Sequence, residues 1–269
     1  MRRTIASWVG ALVITSVSNP RIQWVRELQR KPKARLAQSA FVVEGIRLAE
    51  EACRAGFTPM AIFHTADPDR RTADLLRTFG ARGTEPQTVS PRVLAACSST
   101  QSPQGPIIVL PIPAPVLPTS LRLAIVADGI ADPGNLGALL RTALAAGSDL
   151  VLLTSQTVDP YNPKVVRAAM GAHFHLPLAP ATIPDARRQL HGLQLWIAEP
   201  HRGESIYTLD ARQPLALVIG GEARGPSDAW RGPDATSVTI PMAPTAESLN
   251  TAAAAAVLMF EIRRQRGIS

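Results

Sequence analysis

Ser237-Val238-Thr239-Ile240-Pro241-Met242, then a short turn, then Glu247-Ser248-Leu249-Asn250 opening an alanine-rich run to Ala256, is the stretch that decides the fold. The alternation reads as a strand that stops at Pro241, because proline has no N–H to extend a ladder. Thr245 or Ser248 is the expected cap of the helix that follows. The loop between strand and helix carries free backbone N–H and C=O groups, which suit a polar small molecule. Five alanines between Thr251 and Ala256 let another segment approach that helix closely. Taken alone, the stretch is equally an ordinary strand–turn–helix whose alanine face is core.

Upstream of this stretch, strands and helices alternate. Leu121–Ala127 reads as a buried strand leading into the polar loop Asp128–Gly137, with a helix from about Ala138 to Ala146. Leu150–Leu153 is a strand, Pro163–Met170 a helix, Phe174–Leu178 an extended piece, Pro184–Leu190 a helix and Leu193–Ala198 a strand. Leu215–Ile219 is a strand ending in Gly220-Gly221-Glu222-Ala223-Arg224-Gly225. This alternation predicts a mainly parallel sheet with helices on both faces. In such sheets ligands gather beyond the carboxyl ends of the strands. Three polar loops fall there: Asp128–Gly137, Gly220–Gly225 and Pro241–Asn250. The first reads P-G-N-L-G, so the dinucleotide fingerprint G-x-G-x-x-G is absent.

The amino-terminal part has a different composition. The net charge is +7, and residues 1–100 hold 15 Lys/Arg against 8 Asp/Glu, whereas residues 101–269 hold 13 of each. The whole excess therefore sits in the first hundred residues, the pattern of a polyanion-binding module joined to a neutral working part. Arg21, Arg26, Arg30, Lys31, Lys33 and Arg35 follow Asn19-Pro20 with Glu27 as their one acidic companion, and Arg47 lies beyond the next turn. Ile22, Val25 and Leu28 recur at helical spacing, which puts the basic groups on the outer face of a helix, where they can contact phosphates. Strands are expected at Phe41–Gly45, Met60–His64 and Ile107–Pro111. Helices are expected at Ile46–Ala55, at Thr72–Phe79 stopped by Gly80, and at Val89–Ala96. The alternating prolines of Pro111–Pro118 form a stiff linker. We therefore expect domains at 1–110 and 120–269, joined by 111–119.

Cys53 and Cys97 make no disulfide or metal pattern, and both read as buried small hydrophobes in a reducing compartment. His173-x-His175 has no carboxylate or cysteine at metal spacing; the pair reads as core or interface histidines, and no metal is expected. No run of 18 apolar residues is present. Arg2-Arg3 before Ile5–Val17 loosely resembles a signal peptide, but Ser7, Trp8, Gly10 and Thr15 dilute the run and no A-x-A site closes it. Those residues are expected to be a strand or an ill-ordered lead, in a cytoplasmic protein.

The three loops together are more specific than any one. Asp128-x-x-x-Asp132-Pro133-Gly134-Asn135-x-Gly137-x-x-x-Arg141-Thr142, then Gly220-x-Glu222-x-x-Gly225, then Ile240-Pro241-Met242 with Glu247-Ser248-Leu249-Asn250, closely resemble the three motifs of the SpoU/TrmH family of RNA ribose 2′-O-methyltransferases. Val158–Ala168 resembles the family too. Asn19-Pro20-Arg21 and Phe41–Gly45 resemble the substrate-binding domain that many members carry. The resemblance spans about residues 19–266. It implies a carboxyl-terminal α/β trefoil-knot domain, an exception to the rule against threading, preceded by a small ribosomal-protein-like (L30e-like) α/β domain that binds RNA. It implies S-adenosylmethionine held by backbone groups of Gly220, Ile240 and Leu249, with Gly225 and Met242 in the same pocket, and a homodimer whose active site is shared across the knot interface. The catalytic set it implies is Arg141, Asn135, Glu222, Ser248 and Asn250: Arg141 stabilises the alkoxide or acts as base, Asn135 orients Arg141 or the ribose, Glu222 and Asn250 complete the polar pocket, and Ser248 contacts the target nucleotide. Ribosomal RNA of the 23S type is favoured as substrate. The alternatives are a tRNA methyltransferase and a knotted RNA-binding assembly factor without catalysis.

Overall fold

Proline and small polar caps punctuate the chain, and the observed elements follow them. The computed structural model describes residues 13–100 and 105–267, so most of the amino-terminal lead lies outside the described residues; Ile14 forms an isolated parallel bridge with Val89. The chain divides into two compact units. The first takes the described residues through Pro113 together with Tyr161–Pro163; the second takes Ala114–Pro160 and Lys164 onward.

In the first unit, α1 (Pro20–Arg30) is capped by the Asn19 side chain, which accepts from Arg21 N, and α2 (Pro32–Gln38) follows after a single extended residue. Then come β1 (Ala40–Glu44), α3 (Ile46–Arg54), β2 (Ala61–His64), α4 (Arg70–Ala81), β3 (Gln87–Thr88), α5 (Pro91–Cys97) and β4 (Ile107–Pro111). The sheet order is β1-β4-β2-β3. β4 runs antiparallel to both neighbours, while β2 and β3 are parallel. Two expectations are corrected. Helix α4 runs through Gly80, and the turn falls at Gly83, whose φ is +96°. Residue 31 precedes a proline and is extended at φ −113°, ψ 112°, so the basic stretch is two helices and not one. The break turns Arg35 inward: it is 2% exposed, and its guanidinium donates to the carbonyls of Leu28 and Gln29. Arg35 is therefore a structural cation and not part of an outer basic face. Arg21, Arg30, Lys31 and Lys33 are exposed and Arg26 is half-buried.

In the second unit the order is β5 (Leu123–Asp128), α6 (Pro133–Ala146), β6 (Leu150–Leu153), α7 (Pro163–Ala169), β7 (Leu178–Pro180), α8 (Ile183–Gln189), β8 (Gln194–Ala198), β9 (Glu204–Ser205), β10 (Leu215–Gly220), β11 (Ala235–Thr239) and α9 (Thr251–Gln265). The seven strands pair as β7-β6-β5-β10-β8-β11-β9, all parallel. Each buried strand feeds two cores. Leu123, Ile125 and Ala127 of β5, with Leu215, Leu217 and Ile219 of β10, pack under α6 and α9. Ala124, Val126, Ala216 and Val218 face α8 and Trp230. Strand periodicity of two places these sets on opposite faces.

Helix α6 starts five residues earlier than expected, because Asp132 caps it by accepting from Asn135 N and Pro133 occupies the first turn. Asn135 therefore stands on a helix and not in a loop. Phe174 ends a 3-10 turn, Ala172–Phe174, and the strand begins only at Leu178. After β11 the chain comes back across the sheet to start α9, which packs against α6 and β10, with the Thr251 hydroxyl aimed at the Gly220 carbonyl (3.4 Å). This is the α/β knot domain that the motifs imply. Among the described residues no helix is long and apolar enough to cross a membrane.

The two histidines part ways. His175 is exposed. His173 is 3% exposed and its Nε2–H donates to the Pro160 carbonyl (2.7 Å). Burial pushes its pKa down to about 4. Between that value and about 6.5, the ordinary value in an unfolded chain, the unfolded state binds the extra proton, so stability falls as pH drops through this window and is fully present above it. The slope from this one group is about 1.4 kcal/mol per pH unit. Urea midpoints of wild type and His173→Gln between pH 7.5 and 4.5 check this: wild type loses the extra stability over that interval, and the variant runs flatter.

Candidate active site

β5 and β10 are paired in register with Gly220 opposite Asp128, so the loops that leave their carboxyl ends start side by side. The buried Asp128 carboxylate holds them there. One oxygen accepts from the Thr154 hydroxyl at the end of β6 (2.6 Å) and the other from Ser227 N (2.7 Å). Gly221 N donates to the Asp128 carbonyl (3.0 Å). Glycine is required at this junction. A Cβ on Gly220 would lie 2.0 Å from Pro226 N, and one on Gly221 would lie 2.4 Å from the Gly129 carbonyl oxygen.

Three side chains far apart in sequence meet at this junction. Asn135 Nδ2 on α6 donates to Glu222 Oε1 (2.6 Å). Asn250 Nδ2 donates to the same oxygen (2.8 Å) and to Asn135 Oδ1 (3.0 Å). A carboxylate only accepts, so both amides turn their NH2 groups toward it. That leaves Asn250 Oδ1 to cap α9, accepting from Ala252 N and Ala253 N (3.0 and 3.3 Å). The cap of this helix is thus Asn250, in place of the expected Thr245 or Ser248. The Glu222 Oε2 atom makes no hydrogen bond with the described residues. Asn250→Ala is expected to lower stability by about 1 kcal/mol through the lost cap and to release Glu222 from α9; thermal melts and activity of the same preparation check both.

Beside this cluster lies a cavity of about 290 Å³, close to the lower end of small-molecule sites at about 300 Å³. All five residues expected around the cofactor line it: Gly220, Gly225, Ile240, Met242 and Leu249. Glu222, Ser248 and Asn250 line it as well. Sequence reasoning missed several of its other walls, among them Ala198 at the end of β8 with Glu199 and Pro200 beyond it, and Thr251, Ala254 and Leu258 on α9. The signal for the first three was available, since they leave the carboxyl end of a strand in a parallel sheet. A second, larger cleft of about 680 Å³ lies on the other side of the Gly220–Gly225 turn and shares Gly221, Glu222, Gly225 and Pro226 with the first.

Arg141 stands apart. It is exposed on α6, lines neither cavity, and makes no hydrogen bond or ion pair with the described residues, so it is not tied up in a helix-surface salt bridge. Six residues along a helix put it about 120° around from Asn135. Asn135 bonds to Glu222 and Asn250, and no hydrogen bond joins it to Arg141.

Residues 122–260 match the SpoU rRNA Methylase family, and residues 19–107 match the MRM3-like substrate binding domain. Among curated proteins, the chain is 34% identical to an uncharacterized tRNA/rRNA methyltransferase of Synechocystis, over 94% of each chain. It is 31% identical to the 23S rRNA (guanosine(2553)-2′-O)-methyltransferase RlmP of Bacillus subtilis, over 93% of this chain and 98% of that one. Among solved structures, the SpoU methyltransferase AviRb of Streptomyces viridochromogenes in complex with AdoMet superposes with a TM-score of 0.84 at 29% identity, covering 93% of this chain and 99% of that one. With both the catalytic-domain match and full-length relatives in agreement with the converged motifs, the chain belongs to the SpoU rRNA methylase family.

Proposed function

We propose that the protein transfers a methyl group from S-adenosylmethionine to a ribose 2′-hydroxyl of ribosomal RNA, of the 23S type. The observation that carries this reading is the meeting of Asn135, Glu222 and Asn250 at the mouth of a cavity lined by Gly220, Ile240 and Leu249. The names of the relatives, which include guanosine and uridine 23S rRNA 2′-O-methyltransferases, support the substrate class, and the bacterial ones are in keeping with work in the cytoplasm.

The cavity suits the cofactor. Ile219, Val238, Ile240, Met242, Leu249 and Leu258 give apolar walls, while Glu222, Ser248 and Asn250 make one side polar. When bound there, the cofactor would supply an electrophilic methyl on a sulfonium for transfer to the ribose 2′-oxygen. Backbone groups of Gly220, Ile240 and Leu249 would hold it. Glu222, braced by two amides through one oxygen, keeps the other for a substrate hydroxyl. Ser248 contacts the target nucleotide. Arg141 stabilises the developing alkoxide; a guanidinium deprotonates only above about pH 12 and makes a poor base. Exposed cations of the first unit, Arg21, Arg30, Lys31 and Lys33, contact RNA phosphates.

The working form in this reading is a homodimer. Ala253, Val257 and Phe260 repeat on one face of α9, with Val257 37% and Phe260 47% exposed, next to the helix that carries Arg141. A second copy seated there covers the apolar face and brings Arg141 to the partner's cavity. The test of the whole reading is transfer of label from tritiated S-adenosylmethionine to transcripts of 23S rRNA, 16S rRNA and tRNA. The expected product is 23S rRNA whose label survives alkali in a dinucleotide, the mark of a blocked 2′-oxygen. Binding without transfer to any transcript would leave the non-catalytic assembly factor instead.

A further inference from the structure

The second cleft, across the Gly220–Gly225 turn from the cofactor cavity, has an unequal set of charges. Four carboxylates line it, and each has at least one oxygen engaged by the chain itself. Asp128 accepts from Thr154 and Ser227, Asp132 accepts from Asn135 N, Glu222 accepts from two amides, and Asp228 pairs with Arg231. Among the described residues that line the cleft, Arg224 is the one cation. It is exposed and makes no hydrogen bond or ion pair with the described residues. A cation with no partner of its own among the described residues is available to an anionic ligand.

Gln156 also lines the cleft and is exposed. Its φ is +79°, a left-handed backbone that L side chains other than Asn and Asp rarely adopt. The conformation is imposed from below. Thr157 N closes a turn onto the Thr154 carbonyl (3.2 Å), and both threonine hydroxyls accept from Gly129 N, at 3.2 and 3.0 Å. Thr157 also donates to the Ala127 carbonyl (2.9 Å). Glycine would hold this turn with less strain, so the amide stands here against the backbone's preference, and strain of this kind clusters at ligand sites. A carboxamide offers a donor and an acceptor together, the pattern that matches the edge of a nucleobase.

Resting on the methyltransferase reading above, we infer that this cleft receives the target nucleotide, with Arg224 on a phosphate that flanks it and Gln156 on the edge of its base. Glu222 stands in the wall common to both cavities, so a nucleotide seated here has its ribose beside the methyl donor. Arg224 then contributes binding without base preference, and Gln156 contributes choice of base.

The test uses the full chain, tritiated S-adenosylmethionine and the 23S rRNA transcript labelled by the wild type, together with three transcripts in which the mapped nucleotide is replaced by each other base. Arg224→Ala is expected to raise KM for the transcript about tenfold, leave kcat and cofactor affinity within about twofold, and reduce the salt slope of RNA binding by about one. Arg224→Lys recovers most of the loss. Gln156→Gly is expected to melt no lower than wild type, yet to lower kcat/KM for the cognate transcript about tenfold and narrow discrimination among the four bases. If both variants keep wild-type KM, salt slope and base discrimination while the wild type methylates the transcript, the inference is wrong and the enzyme reading stands. A loss of activity that tracks a lowered melting temperature in Gln156→Gly overturns it too, as a structural role. If the wild type labels no transcript, the reading and this inference fall together.

Discussion

Arg141→Ala is expected to fold, melt and bind S-adenosylmethionine as the wild type does, and to transfer methyl groups about a hundred- to a thousandfold more slowly. The size is that of removing one preorganised stabiliser of developing negative charge. The selectivity follows from position. Arg141 lines neither cavity and makes no hydrogen bond or ion pair with the described residues, so truncating it orphans no partner and opens no void. Alanine also suits an exposed helix position, which keeps the change in stability within about 0.5 kcal/mol. Arg141→Lys keeps the charge but not the planar fork, and should fall between the two. Single-turnover rates with tritiated cofactor, set beside calorimetric titration of the cofactor, separate the contributions. If cofactor affinity and rate fell in parallel, Arg141 would be a structural residue and the electrostatic role would be lost.

Arg141 also shows what the chain's one-dimensional record could and could not reveal. The elements of the parallel sheet were legible because buried strands read as apolar runs, and because glycines and prolines sit where the chain turns. The site was legible as three loops at strand carboxyl ends, and all the cofactor positions named from motif resemblance line one cavity. The losses came where a local rule was overruled by a cap or a break. Asp132 and Pro133 start α6 early, which moves Asn135 onto a helix and fixes which way its amide can turn. Lys31 before Pro32 ends one helix and starts another, and Arg35 is buried as a result. The bonds joining Asn135, Glu222 and Asn250 span 87 and 115 residues from Asn135. No periodicity encodes contacts at that range; they depend on the path by which α9 comes back to α6.

That path makes the cofactor cavity open to a second substitution of large effect. Ala254 lies on α9 between Thr251 and Leu258 and lines the cavity with them. Phenylalanine there projects a ring into a space of about 290 Å³, not into a filled core, so the helix should tolerate it at a cost of a few tenths of a kcal/mol in propensity. Cofactor affinity should drop on the order of a hundredfold, equivalent to about 2.7 kcal/mol, with the melting curve of the ligand-free chain little changed. Ala254→Phe and Arg141→Ala are then two inactive proteins with complementary defects, and mixing them asks which copy supplies Arg141. If the arginine serves the partner's cavity, a mixed dimer has one site in which an intact cavity faces an intact arginine. Unfolding the two variants together and refolding them at equal concentration should restore roughly a quarter of wild-type activity, because half of randomly paired dimers are mixed and each holds one complete site. If Arg141 serves its own chain's cavity, every site in the mixture is broken and activity stays at the level of the separate variants. That outcome would sink the shared site while leaving the cavity, and the roles of Glu222 and Asn250 in it, untouched.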